Sequence, residues 1–170
     1  MSDALLTQLL ARRREISHEV VDVDEPSHQL VLVRMGEQLY ALAGQSIREI
    51  LAQPEVCWVP GCPSSMEGVI NLRGTIESVI RLHDLLQCGE SSSSSNSFVL
   101  IAETASLRTG IRVEGLLDMI EVSESALQAP PTSLPASLQP YVRHLLTYQQ
   151  HPIAVLNLER LLADYAQRLV

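Results

Sequence analysis

The sequence predicts a mainly β protein made of two similar β subdomains, with a helix near each end of the chain. The apolar residues lie mostly in short runs of strand-like composition, which Gly and Pro turns separate. One nine-residue pattern also occurs twice, because residues 78–86 (SVIRLHDLL) match residues 154–162 (AVLNLERLL) at a displacement of 76 positions. This repeat indicates two halves of similar structure, each ending in a strand that runs into a helix. Short strands at this spacing are typical of small barrels or a sandwich.

The chain begins with a segment that differs in composition from the rest. Residues 3–17 predict an amphipathic helix, whose apolar stripe consists of Leu5, Leu6, Leu9, Leu10 and Ile16. Residues 18–27 are acidic and include Pro26, so we expect a linker there. We therefore predict that residues 1–27 form a segment outside the main β body. The helix either packs on that body or docks onto a partner or a membrane surface.

The first half of the main body carries five strand-like runs and one helical turn. The runs cover residues 29–35, 38–42, 47–51, 68–72 and 75–82, and the helical turn follows at residues 83–86. Gly36-Glu37 and Arg73-Gly74 are the turns of two predicted hairpins. A loop that contains Pro54, Pro60 and Pro63 separates the third run from the fourth. This half spans about residues 28–88.

The second half repeats this order after a polar connection. Residues 89–97 include five consecutive serines and are too polar to offset their ordering entropy, so a flexible loop is expected. Strands are predicted at 98–103, 109–113, 116–122, 141–148 and 153–158, with a short helix at 123–127 and a terminal helix at 159–169. The predicted core positions of both halves are Val31, Val33, Val69, Ile80, Val99, Ile101, Val113, Leu156 and Leu158.

Composition and charge exclude several classes of function. The 170 residues carry a formal net charge of -8 with a sequence pI near 5.0, whereas a nucleic-acid-binding protein normally presents a basic face. No apolar run approaches the roughly 20 residues that a membrane-spanning helix requires, and no signal peptide opens the chain. We therefore expect a cytoplasmic protein with no nucleic-acid partner and no direct membrane insertion.

The sequence also lacks the motifs that carry catalysis or cofactor binding. It contains no dinucleotide-binding, P-loop or nucleophile-elbow motif, and no lysine that could form a Schiff base. Cys57, Cys62 and Cys88 lack zinc-ligand spacing and the histidines are scattered, so no metal site is indicated. The cysteines are expected to be reduced, partly buried thiols. The sequence thus favours a binding module with no enzyme activity and no cofactor.

One set of motifs resembles a known family. Residues 68–74 (GVINLRG), preceded by residues 59–63 (VPGCP), resemble the signature of the CheW family, the adaptors of bacterial chemosensory arrays. The chain also resembles other strands of the family at four places, residues 40–42, 47–51, 110–113 and 117–120. Residues 127–131 (LQAPP) and 155–162 resemble the Leu-x-x-Pro-Pro segment and the closing strand and helix of the family. The resemblance covers about residues 28–164.

This resemblance implies two pseudo-symmetric five-stranded SH3-like β-barrels, the first at about residues 28–88 and the second at about residues 98–158. It also implies two protein partners and no catalysis. The partners are the cytoplasmic tip of a chemoreceptor and the regulatory domain of a CheA-type histidine kinase. Family members bind the helical hairpin of the receptor in a groove between the barrels. By motif position, the receptor site consists of Ile47, Glu49, Gly68, Asn71 and Arg73. The motif does not assign the kinase contacts.

The implied site residues have plausible physical roles. Ile47 would supply an apolar anchor, and Gly68 would let a receptor helix approach the backbone closely. Arg73 would donate hydrogen bonds to a carboxylate or carbonyl of the receptor. On the residues alone, Arg73 could equally top a hairpin turn, and Asn71 could form a hydrogen bond within that turn.

The sequence departs from the family pattern after this motif. Ser78 and Arg81 stand where the family usually has Pro and Asp, and Glu77 lies beside them. These departures indicate a divergent paralogue, for example one that serves pilus motility or surface sensing. Two alternatives stay open. One is a CheW-like competitor that binds receptor or kinase without signalling, and the other is a small-ligand-binding or enzymatic β-barrel with a deep pocket.

Overall fold

The computed structural model describes residues 25–89 and 96–169, which form a mainly β fold as predicted. The first half forms β1 (Ser27–Met35), β2 (Gln38–Ala43), β3 (Ile47–Ala52), β4 (Met66–Leu72), β5 (Thr75–Ile80) and the short helix α1 (His83–Leu86). The second half forms β6 (Phe98–Glu103), β7 (Arg108–Val113), β8 (Gly115–Ser123), β9 (Val142–Tyr148), β10 (His151–Leu156) and the helix α2 (Leu158–Arg168).

Each strand predicted from the sequence corresponds to an observed strand, with ends that differ by a few residues. The short helix predicted at residues 123–127 is a single 3-10 turn, Glu124–Ala126. The predicted N-terminal helix at residues 3–17, most of the acidic linker and the serine run at residues 91–95 lie outside the described residues. The terminal helix is confirmed as α2.

The strands pair into two five-stranded sheets that each combine both halves of the chain. Sheet A has the order β8-β1-β2-β10-β9, and sheet B has the order β3-β6-β7-β5-β4. In each sheet the last strand of one half runs parallel to the second strand of the other half, β10 beside β2 and β5 beside β7. The sheets therefore do not coincide with the two consecutive stretches, residues 28–88 and 98–158, into which the sequence was divided.

The sheets are related by a pseudo-symmetry that the hydrogen-bond register defines residue by residue. Val79 pairs with Gly110 in sheet B, and Val155 pairs with Ala41 in sheet A. Equivalent residues are thus 76 positions apart between β4–β5 and β9–β10, and 69 positions apart between β1–β3 and β6–β8. The repeated segments found in the sequence occupy equivalent places, each forming a strand that leads into a helix.

Both sheets curl until their two edge strands contact the same apolar cluster. In sheet B, Leu51 of β3 and Ile70 of β4 pack on one cluster with the buried residues Val79, Val99 and Ile101. In sheet A, β8 and β9 likewise converge on a cluster formed by Leu30, Leu32, Ala41, Leu146, Ile153 and Val155. We name the two units barrel A and barrel B after their sheets. The predicted pair of five-stranded barrels is confirmed.

A third and larger apolar cluster joins the two barrels. It includes Val31, Val33 and Leu42 of barrel A, together with Leu100 and Ile111 of barrel B. Helix α2 covers this cluster with Leu158, Leu161, Leu162 and Tyr165, all of which are buried. Because this shared core buries part of the outer face of each sheet, the barrels are packed directly against each other.

One predicted core position differs from the structure, whereas the others are buried. Val69 is only partly buried, and its neighbour Ile70 fills the interior of barrel B instead. Successive side chains of a strand point to opposite faces, so only one of the two can enter the barrel. The backbone of Val69 pairs with Cys57 in the preceding loop, and its side chain lies on the outer side of β4.

The cysteines are free thiols, as predicted, but they differ in exposure. Cys57 is exposed rather than partly buried, whereas Cys62 and Cys88 are partly buried. Burial raises the pKa of the Cys88 thiol to about 11, which leaves it protonated at neutral pH. In the part of the chain that the structure describes, no helix combines the length and apolar character needed to cross a membrane.

Candidate functional site

The structure brings four of the five predicted site residues to one end of barrel B. Ile47 and Glu49 lie at the start of β3, whereas Asn71 and Arg73 lie at the hairpin turn between β4 and β5. β3 and β4 are opposite edges of sheet B, and they meet at this end because the sheet curls into a barrel. Residues that are 24 positions apart in the chain therefore become neighbours.

An ion pair between Arg73 and Glu49 closes this end of the barrel. The Nη2 of Arg73 lies 2.5 Å from the Oε2 of Glu49. The Arg73 side chain is 75% exposed and that of Glu49 is 27% exposed, so the guanidinium is the outer member of the pair. The exposed surface at this end of the barrel is therefore a planar cation backed by a carboxylate.

The hairpin turn itself fixes where Arg73 points. Arg73 adopts a left-handed backbone conformation with φ of 51°. The side-chain oxygen of Asn71 accepts a hydrogen bond from the backbone N–H of Gly74 at 2.9 Å. Asn71 is exposed, but its side-chain oxygen forms a hydrogen bond within the turn. This is the local role that the sequence allowed as an alternative to receptor contact. Asn71 thus positions Arg73.

Gly68 and Ile47 are less exposed than the two charged residues. Gly68 is buried, and a Cβ at this position would lie 2.2 Å from the carbonyl oxygen of Cys57. The close backbone approach expected at Gly68 is thus made by the chain's own loop, which pairs with β4 through Cys57 and Val69. Ile47 is partly buried and packs against the shared core.

Four further charged residues surround this end of barrel B, and the motif did not indicate them. Glu77 of β5 accepts a hydrogen bond from Nε of Arg108 on β7 at 2.8 Å. Arg108 also lies 3.5 Å from Glu103 of β6, which in turn pairs with Arg48 of β3 at 2.8 Å. The hydrogen bond that Arg108 donates to Glu77 is the main cause of the raised pKa of Arg108, and the charge of Glu49 also contributes. The two networks are therefore in electrostatic contact.

The sequence held a signal for Glu77 that motif comparison overlooked. Extending the 76-residue repeat by one position upstream of Ser78 places Glu77 opposite Ile153, a fully buried residue of barrel A. A carboxylate at the equivalent of a core position calls for a buried partner. The partner, Arg108, follows only from the strand pairing, because β5 and β7 belong to different halves of the chain.

Ser78 and Arg81, the two departures from the family motif, both form contacts within the fold. Ser78 forms a 2.7 Å hydrogen bond with the hydroxyl of Thr109 across β5 and β7. Arg81 approaches the buried carboxylate of Glu114, which also contacts Nε2 of His83 at 2.6 Å. The second oxygen of Glu114 accepts the backbone N–H of Gly36 at 2.9 Å. This cluster ties the β1–β2 turn to the start of α1, which is a structural role.

Comparison with known proteins agrees with the geometry. The sequence model of the CheW-like domain matches residues 29–166, which include both barrels and most of α2. The chain is 24% identical to the probable chemotaxis protein CheW of Rhizobium etli over 149 residues, which cover 88% of this chain and 96% of that protein. It is 27% identical to protein PilI of Pseudomonas aeruginosa, over 73% of this chain and 69% of that protein.

A solved structure shows the same architecture. The crystal structure of the scaffolding protein TtCheW from Thermoanaerobacter tengcongensis superimposes with a TM-score of 0.70 at 25% identity. The superposition covers 80% of this chain and 92% of that protein, so both barrels have counterparts in it. Together with the match over residues 29–166, this establishes that the chain belongs to the CheW-like domain family.

Proposed function

We propose that this chain is a non-catalytic adaptor that couples the cytoplasmic tips of chemoreceptors to a CheA-type histidine kinase. The family match across both barrels supports this proposal, as do similar proteins named chemotaxis protein CheW and scaffolding protein TtCheW. An adaptor needs surfaces for two partners and no reaction centre. A pair of rigid barrels joined by one core can hold two such surfaces at a fixed separation.

The exposed ion pair of Arg73 and Glu49 is the observation that carries the receptor half of the proposal. The pair lies at the point where both edges of barrel B meet, on the residues that the family motif marks. In this proposal the helical hairpin of the receptor packs beside Ile47 and pairs with the guanidinium of Arg73. Asn71 positions the turn, and Gly68 allows the preceding loop to pack closely against β4.

We further propose that the adaptor serves a divergent pathway, such as pilus motility or surface sensing. Ser78 and Arg81 replace the usual Pro and Asp of the family motif. The chain is also similar to protein PilI of Pseudomonas aeruginosa and to protein FrzA of Myxococcus xanthus, and not only to proteins named CheW. Titration against the regulatory domains of several CheA-type kinases would identify the pathway through the one kinase that binds at micromolar concentration.

Charge reversal at Arg73 tests the receptor site. In Arg73→Glu, a carboxylate replaces the exposed cation and repels Glu49, so we expect binding of a receptor-tip hairpin to be abolished. Because the Arg73 side chain is exposed, the circular dichroism spectrum and melting temperature should stay close to those of the wild type. Isothermal titration calorimetry with the purified full chain measures the binding.

The pseudo-symmetry supplies a matched control for this variant. Gln149 occupies the equivalent turn of barrel A, with φ of 47° against 51° for Arg73. Gln149→Glu adds the same carboxylate in the same backbone conformation, and it should leave receptor binding unchanged. Wild-type affinity in a folded Arg73→Glu protein would show that the receptor does not bind at this end of barrel B.

A further inference from the structure

Barrel A shows what barrel B looks like without the ion pair of Glu77 and Arg108. By the register of the two sheets, Glu77 is equivalent to Ile153 and Arg108 is equivalent to Leu39. Ile153 is fully buried, and Leu39 packs on the same apolar cluster inside barrel A. One fold therefore accepts an apolar pair at this place in one barrel and an ion pair in the other.

The ion pair places a carboxylate where barrel A has an apolar side chain. Glu77 is held with its side chain only 7% exposed, so its carboxylate has lost most of its hydration. Ion pairs in such positions are often no more stabilising than apolar residues of similar volume, because desolvation offsets the attraction. The equivalent pair of Leu39 and Ile153 shows that an apolar solution exists in this architecture. An ion pair is therefore not required to complete a barrel of this architecture at this place.

The arginines at this end of barrel B lie outside their glutamate partners. Arg108 is 43% exposed against 7% for Glu77, and Arg48 is 55% exposed against 41% for Glu103. The pair of Arg73 and Glu49 has the same arrangement. Three guanidinium groups, each paired with a carboxylate, thus form an outer layer on a protein whose net charge is -8. The equivalent positions of barrel A hold Leu117, Gln149 and Leu39, so the layer belongs to barrel B alone.

The contacts of Arg108 leave part of its guanidinium facing outward. Its Nε bonds Glu77, and its Nη1 approaches Glu103. Among the described residues, its Nη2 forms no hydrogen bond, and the two carboxylates prevent the group from turning away. A planar donor that is fixed in this way is suited to a carboxylate of a partner.

We propose that Arg108, held in place by Glu77, determines specificity by selecting receptor helices that present acidic side chains to this end of barrel B. The proposal rests on the function proposed above and adds the chemistry of the partner. Arg108 then pairs directly with a carboxylate of the docked helix, beside the contact made by Arg73. Glu77 is a positioning residue that acts through Arg108.

The test converts the ion pair into its barrel A counterpart. Glu77→Ile together with Arg108→Leu copies Ile153 and Leu39, so neither charge is left without its partner. Glu67→Ile together with Arg112→Leu is the matched control, because this double variant removes an ion pair of β4 and β7 at the opposite end of the same barrel. The probes are a receptor-tip hairpin and the same hairpin with its Glu and Asp residues changed to Gln and Asn.

We expect the Glu77→Ile, Arg108→Leu protein to bind the acidic hairpin on the order of tenfold more weakly than the wild type, with a smaller dependence on salt. The neutralised hairpin should bind the wild type more weakly than the acidic hairpin does. For this variant the difference in affinity between the two hairpins should be smaller but not zero, because Arg73 is still present. The control variant should bind like the wild type. If the Glu77→Ile, Arg108→Leu protein does not fold, the affinities of the wild type for the two hairpins still test the proposal. Equal affinities for the two hairpins would overturn it.

The outcomes separate this proposal from the adaptor function. Unchanged affinity and salt dependence in a folded Glu77→Ile, Arg108→Leu protein would overturn the role of Arg108, while Arg73→Glu could still abolish binding. A wild-type chain that binds neither hairpin nor any CheA-type regulatory domain would overturn the adaptor function and this proposal together.

Discussion

At the scale of single residues, Gly68 occupies a place in β4 where the backbone of another segment leaves room only for hydrogen. We predict that Gly68→Ala lowers the free energy of unfolding by about 2 to 3 kcal/mol, because the added Cβ would lie 2.2 Å from the carbonyl oxygen of Cys57. The loop and the strand must then move apart and lose their two backbone hydrogen bonds. Urea denaturation followed by circular dichroism measures the loss.

Gly115→Ala is the matched control for this substitution. A Cβ at Gly115 would meet only the flexible side chain of Arg34, at 3.4 Å or more. Its effect on unfolding should stay within about 1 kcal/mol. A Gly68→Ala protein as stable as the Gly115→Ala protein would mean that the loop does not press against β4 as the structure shows.

Sequence reasoning identified Gly68, Asn71 and Arg73 as special but could not choose between their roles. A glycine in a strand signals that some backbone approaches it, and only the folded chain shows that this backbone is Cys57. The turn formed by Asn71 and Gly74 is local, and local chemistry can be read from adjacent residues. The pairing of Glu77 with Arg108 crosses between the halves of the chain, so no local pattern contained it.

At the scale of elements, the two repeated strand–helix units end in helices of very different length. Helix α2 spans 11 residues, and the side chain of Asn157 accepts a hydrogen bond from the backbone N–H of Arg160 at its start. The equivalent position before α1 is Arg81, and no side chain among the described residues caps that four-residue helix. Helix α1 also ends at once, since Gln87 adopts a left-handed conformation. The repeat predicted both helices but not this difference.

Removal of the Asn157 cap should weaken the cover of the shared core. We predict that Asn157→Ala lowers the free energy of unfolding by about 1 kcal/mol, because one backbone N–H of the first turn loses its partner. Asn157→Asp should retain the stability, since a carboxylate accepts the same hydrogen bond and suits the positive end of the helix dipole. Urea titration of the wild type and the two variants measures these free energies of unfolding. Equal stability of Asn157→Ala and the wild type would show that the cap contributes nothing.

At the scale of the whole molecule, the two halves of the chain are interleaved rather than consecutive. Strand periodicity and turn residues predicted each strand, because these signals are local. The pairing of β5 with β7 and of β10 with β2 depends on contacts between distant segments, which residue spacing does not encode. The family resemblance predicted a pair of barrels, but only the structure shows which strands belong to which sheet.

The interleaving makes a direct prediction about fragments. A fragment ending at Gly89 and one beginning at Asn96 should each fail to fold alone, because each lacks strands that complete both sheets. Mixed together, they should restore the β-sheet circular dichroism and cooperative unfolding of the intact chain. Cooperative unfolding of either fragment alone would contradict the interleaved topology.

The central claim is that this chain couples receptor and kinase, and the autophosphorylation rate of a CheA-type kinase tests it most directly. The kinase is assayed with receptor tips and with wild type, Arg73→Glu, Gln149→Glu or no added chain. The account predicts that receptor control of the rate appears with wild type and Gln149→Glu, and is lost with Arg73→Glu as it is without the chain. If the wild-type chain binds both partners and leaves the rate unchanged, it is a competitor and the adaptor account is wrong.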